Sequence, residues 1–114
     1  MSRGTDYLEF VYLTSFDRGS DALADAEDLR WLEWVLLQKP RLGVVVPGCG
    51  GARKLRIPSH GRGKRGGGRV IYLYVEVRGR IYFLFAYHKG EQQDLSPRQR
   101  AAVQKLVDLL KAEV

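Results

Sequence analysis

The chain has 114 residues, 45% of them apolar and 28% charged, with 19 Lys and Arg against 13 Asp and Glu, which suits one hydrophobic core and excludes a disordered tail or two comfortable domains. One cysteine and two histidines leave no internal disulfide and no recognised zinc-ligand spacing. No apolar run approaches the roughly 20 residues that cross a bilayer, and the opening "MSRGTDYLEF" lacks the apolar core of a secretion signal, so the expectation is a single domain over 1–114, cytoplasmic, with no membrane contact, metal or cofactor.

In chain order, "YLEFVYLTSF" is rich in aromatic and β-branched residues and predicts a strand over 7–13. "FDRGSDALA" has room for a short extra helix. From Asp25 the pattern "DAEDLRWLEWVLLQK" turns helical: Asp25 is a suitable N-cap, acids crowd the first turn, and Pro40 stops the run. Leu29, Leu32, Val35 and Leu36 make one stripe, and Trp31 and Trp34 widen it, so this helix is expected to be covered on more than one side.

"PGCGG" and "HGRGKRGGG" are turn or loop chemistry flanking "ARKLRI", a candidate strand. "RVIYLYVEV" and "IYFLFAY", separated by a compact turn around Gly79, predict an antiparallel hairpin. The closing helix starts with Ser96 as N-cap, Pro97 behind it and Gln99 completing a capping box, and Val103, Leu106, Val107, Leu110 and Val114 follow helical spacing. The fold class is α+β: an antiparallel or mixed sheet of about four strands, with N-terminal helices packed on it and a C-terminal helix.

The net charge of +6 has an address. Residues 53–69, "RKLRIPSHGRGKRGGGR", carry seven cations, five glycines and no acid, so everything outside them sums to about −1. Gly61, Gly63 and Gly66 spell G-x-G-x-x-G, but a strand follows where a dinucleotide site needs a helix. No Ser or Thr follows Lys64 to complete a phosphate-binding G-K-[ST]. What survives is a cation-loaded loop able to follow a phosphate backbone, against the plainer reading of a solvated connection. Arg53, Lys54, Arg56 and Arg69 weigh against the plainer reading because they sit at strand ends, where side chains are held.

Past the hairpin, Tyr87, His88 and Lys89 stand where the last strand runs out. Tyr stacks or hydrogen-bonds, Lys stabilises a pentavalent phosphate, and His exchanges protons near neutrality; a strand end with an exposed histidine is the plainer alternative. Tyr72, Tyr74 and Tyr82 read as packing residues, Trp31 and Trp34 as core or partner interface, and Cys49 has no base beside it in sequence. Cations at three strand termini suit RNA cleavage by a 2′-OH attacking its own 3′ phosphate, with cationic side chains stabilising the developing charge. The residues alone support a basic α+β domain that contacts nucleic acid.

The ordered runs "PGCGGARKLR", "GKRGGGRVIY" and "AYHKGEQQDLS" resemble the RelE/ParE superfamily of bacterial type II toxins, in particular its HigB-like branch. The resemblance implies a compact sheet with two N-terminal helices and a metal-independent, ribosome-dependent endoribonuclease cutting mRNA in the A site. It also implies neutralisation by a cognate HigA-like helix-turn-helix antitoxin, for which the helical tryptophans and any exposed part of the basic groove are the expected dock. Carried over by position, it points to Lys54, Arg69, Lys89 and Tyr87 as catalytic, and to Arg53, Arg56, Arg62, Lys64, Arg65 and His88 as substrate-binding. The superfamily also contains gyrase-poisoning members without nuclease activity, of the ParE kind. That alternative, and a purely RNA-binding protein, remain open at this level.

Overall fold

The structure, a computed structural model, describes residues 8–20, 25–57 and 67–113. The elements are β1 (Glu9–Tyr12), α1 (Thr14–Ser20), α2 (Ala26–Gln38), β2 (Val44–Val45), β3 (Arg53–Ile57), β4 (Gly68–Val75), a single 3-10 turn (Glu76–Arg78), β5 (Arg80–His88) and α3 (Pro97–Ala112). They form one five-stranded sheet in the order β1-β5-β4-β3-β2, with β1 parallel to β5 and every other pair antiparallel. The fifth strand, absent from the sequence reading, is β2: two residues are too few to carry a period-2 signal.

β4 and β5 are central and lie between two cores, which is why they read as near-continuous apolar runs. On one face Ile71, Leu73, Val75, Tyr82 and Leu84 pack with Val103 and Val107 of α3. On the other, Val70, Tyr72, Ile81 and Phe83 pack with Phe16 of α1 and with Leu32 and Leu36 of α2. The hairpin turns at Gly79 in the left-handed region (φ 62°), where the absence of a Cβ removes the steric cost.

The predicted N-cap Asp25 and the predicted capping box at Ser96 both form, and Asp25 proves to be half of a second box. Asp25 accepts from the Asp28 N–H while the Asp28 carboxylate accepts from the Asp25 N–H, and Ser96 and Gln99 make the same reciprocal pair. α2 is covered on one side only: Leu32 and Leu36 are buried, whereas Trp31 is 37% and Trp34 61% exposed. Sequence periodicity marks a stripe's width without showing how much of it a single sheet face can cover. The two tryptophans border an open groove with Phe10, Leu37, Glu27, Arg30 and Glu33.

The glycine-rich turn at 47–51 is a clasp on α3. Arg100 Nη1 donates to the Pro47 carbonyl at 2.7 Å, and Lys111 Nζ donates to the Gly50 carbonyl at 2.6 Å. Gly50 has φ 66°, and a Cβ there would lie 2.7 Å from Val107 Cγ1. Cys49 is buried beneath this turn, and burial pushes its thiol pKa up, as suits a packing cysteine.

Candidate functional site

Strand pairing puts the cations in a row. Arg56 is the direct partner of Arg69 across β3 and β4, and Arg69 is the direct partner of Tyr87 across β4 and β5. Directly opposed residues share a face, so Arg56, Arg69 and Tyr87 run transversely across three strands. Lys54, two residues before Arg56, projects from the same face about 7 Å along the strand.

A β-bulge decides that Tyr87 belongs to this row. Ile71 pairs with Phe85 but Tyr72 pairs with Phe83, leaving Leu84 as an extra residue in β5. Before the bulge, Ile81 and Phe83 pack on the α1/α2 side; after it, Ala86 packs on that side and Tyr87 on the α3 side. Uninterrupted alternation from Phe83 would have turned Tyr87 away from Arg69; the extra residue re-aims it.

Tyr87 is 5% exposed, and its hydroxyl is buried with no hydrogen-bond partner among the described residues. Burial is the main cause pushing the phenol pKa up; the charges of Lys54, Arg69 and Arg100 pull it down, and Asp94 pushes it up. The phenol is therefore held protonated in a cationic corner, a donor in want of an acceptor. Phe85 stands beside it, with ring centroids 6.4 Å apart.

Asp94 closes the corner. Its Oδ1 lies 3.4 Å from Lys54 Nζ, with 59% of the acid's side chain and 32% of the lysine's exposed. The loop bearing Asp94 is tied at both ends. The Lys89 N–H donates to the Gly67 carbonyl, the Glu91 and Gln92 N–H groups to the His88 carbonyl, and Gln92 Nε2 bridges the Asp94 carbonyl and Gln99 Oε1 inside the α3 capping box.

The remaining sequence-predicted residues divide. Arg53 lies on the opposite face, paired with Tyr72, and its guanidinium donates to the Arg41 and Gly43 carbonyls. There it steadies the loop that Tyr72 also holds, by accepting the Gly43 N–H and donating to the Pro40 carbonyl. His88 pairs with Gly68, whose missing Cβ would point at Ile57 of the α1/α2 core, so the imidazole leaves the sheet away from Tyr87. Its Nδ1 accepts the Gly90 N–H at 2.8 Å. Lys89 is exposed just past the strand. Arg62, Lys64 and Arg65 lie outside the described residues. Sequence reasoning gave no role to Asp94 or Arg100. The signal for Asp94 was its place in the run "KGEQQDLS", two residues before the N-cap.

A sheet face presenting two guanidiniums, an ammonium and a buried phenol is suited to hold a phosphate and to stabilise charge developing on it. The profile of the family described as "RelE toxin of RelE / RelB toxin-antitoxin system" matches residues 47–113, which hold the glycine clasp, β3 to β5, the whole row and α3. The chain belongs to the RelE toxin family. In three dimensions it resembles a free-state mutant of the E. coli toxin RelE, with a TM-score of 0.56 and 13% identity over 76% of this chain and 88% of that one. The likeness at that identity concerns the fold, and it reaches beyond the residues the profile matches. As a member of a toxin-antitoxin family, this RelE-family toxin has an antitoxin as its implied partner. No helix among the described residues is long and apolar enough to cross a membrane.

Proposed function

We propose that this RelE-family toxin is a ribosome-dependent endoribonuclease of the HigB-like branch that cuts translated mRNA through its own side chains and so stops translation in the cytoplasm. The observation that carries the reading is the transverse row Arg56, Arg69 and Tyr87, with Lys54 beside it on the same face.

In this reading the scissile phosphate sits over the row. Arg69, flanked by Arg56 on one strand and Tyr87 on the other, takes the non-bridging oxygens and neutralises the charge that grows as the 2′ oxygen attacks. Lys54 and Arg56 fix the strand on either side of the phosphate, and Lys89 adds a cation where β5 ends. The Tyr87 hydroxyl gains its missing acceptor from a phosphate oxygen when the substrate parts the side chains above it. Arg62, Lys64 and Arg65 grip mRNA or ribosomal RNA. Neutralisation falls to a HigA-like helix-turn-helix antitoxin.

Controlled expression in cells, with mRNA 5′ ends mapped at nucleotide resolution, tests the reading. New ends within codons, lost together with growth arrest in Arg69→Ala and Lys89→Ala, are expected. Growth arrest with no new mRNA ends and with blocked DNA supercoiling would instead place the protein with the gyrase poisons.

A further inference from the structure

We propose that Arg78 and Arg80 form a second anion site, apart from the row, that takes a backbone phosphate of ribosomal RNA; the assignment rests on the reading above that the protein acts on ribosomes. Two guanidiniums converge there on one phenol. Arg78 Nη1 donates to the Tyr82 hydroxyl at 3.0 Å and Arg80 Nη1 at 3.1 Å. Tyr82 is 4% exposed and belongs to the core on the α3 side of the sheet, so the oxygen that both arginines share is a fixed point. Two cations drawn to one neutral acceptor repel each other, and such a pair attracts negative charge.

The chain itself fills that demand with two loosely placed carboxylates. Glu9, directly opposite Arg80 across β1 and β5, accepts from Arg80 Nε at 2.8 Å, and Glu113, just past α3, lies 3.4 Å from Arg78 Nη1. The acids' side chains are 60% and 62% exposed, against 31% for Arg80 and 17% for Arg78. The arginines are therefore the fixed half of the arrangement and the acids the exchangeable half, and open ion pairs of this kind add little stability. Arg78 Nε and Nη2 and Arg80 Nη2 have no partner among the described residues. A phosphate that displaces the carboxylates meets these unspent donors in the planar forks that suit its two unesterified oxygens.

Position favours RNA over an acidic protein segment. Arg80 and Tyr82 lie on the sheet face that carries the row, at the other end of the hairpin. Val75 pairs with Arg80 where Arg69 pairs with Tyr87, a separation of about 20 Å along β4. α3 joins the two ends: Gln99 in its first turn binds Gln92 of the loop beside the row, and Glu113 behind its last turn reaches Arg78. A nucleic-acid surface that meets the row thus also faces this cluster. At that distance the phosphate held here is a different one from the phosphate over Arg69, and such contacts orient a protein on nucleic acid without reading sequence.

Equilibrium binding of the full chain to programmed ribosomes over a salt series tests the site, with urea unfolding measured alongside. The variants are Arg78→Gln with Arg80→Gln, Glu9→Gln with Glu113→Gln, and all four together. The arginine pair is expected to weaken binding at least about tenfold and to lower the slope of log affinity against log salt by about one to two. The acid pair is expected to bind about threefold more tightly, because the arginines lose their competing counter-ions, and only while the arginines are present. A purely structural tie of β1 and α3 predicts otherwise: loss of the acids would lower the urea midpoint and leave ribosome affinity unchanged. That result, or arginine variants that bind as the wild type does, would overturn the site while leaving the ribosome reading intact. Equal tightening by the acid changes with and without the arginines would reveal a diffuse charge effect and overturn it too. A wild-type chain that binds no ribosomes would overturn the ribosome reading and the site with it.

Discussion

Arg56 and Arg69 are direct cross-strand partners one pair from the end of the β3–β4 ladder. Like charges placed opposite one another in a sheet cost stability, so this pairing works against the fold. Arg56→Gln is expected to leave the stability in urea unchanged or to raise it by up to about 0.5 kcal/mol, while weakening the protection that added inorganic phosphate gives the wild type in thermal unfolding.

Tyr87 presents the same conflict in the core. Its hydroxyl is buried without a partner among the described residues, and an unsatisfied buried polar group costs about 1–3 kcal/mol. Tyr87→Phe should therefore unfold at higher urea than the wild type, yet cleave ribosome-bound mRNA more slowly. A variant less stable than the wild type would mean that the hydroxyl has a protein partner after all.

The clasp on α3 predicts a purely structural loss. Gly50→Ala places a Cβ at φ 66° and 2.7 Å from Val107, combining backbone strain with overpacking at a cost of at least about 2 kcal/mol. Urea unfolding measures the cost, and hydrogen exchange should show faster opening of α3 than of β4 and β5.

Alkaline pH should weaken the fold through its buried phenols. Burial is the leading cause raising the Tyr12, Tyr72 and Tyr87 hydroxyls above the ordinary phenol value. The unfolded chain releases these protons from about pH 10 upward while the folded chain retains them, so the unfolded state binds fewer protons and stability falls as pH rises. Their contribution is complete below that pH. Urea midpoints between about pH 8 and 11 should decline, and less steeply in Tyr87→Phe.

Much of this arrangement was legible in the sequence because it is local. The hairpin, the N-cap at Asp25, the capping box at Ser96 and the strand carrying Arg53 to Ile57 follow from neighbouring residues, and the structure has them where the sequence placed them. What escaped was non-local. β2 spans two residues and exists because Val44 and Val45 find partners in Lys54 and Arg53. The extra residue at Leu84, which turns Tyr87 toward Arg69 and His88 away from it, depends on the register of β5 against β4. Neither a strand's composition nor its period reports a bulge. Asp94 stood in a recognised run but acquires meaning only once a loop and a strand 40 residues apart meet at Lys54.

RNA cleavage is the role proposed for the row built on Arg69. Its most direct test is the single-turnover rate at which purified protein cuts mRNA on translating ribosomes, for the wild type, Arg69→Ala and Lys54→Ala, with the product ends identified. Cuts within the A-site codon that leave a 2′,3′-cyclic phosphate are expected, with losses of at least about 100-fold in both variants and ribosome binding retained. Equal rates in wild type and Arg69→Ala would contradict that role.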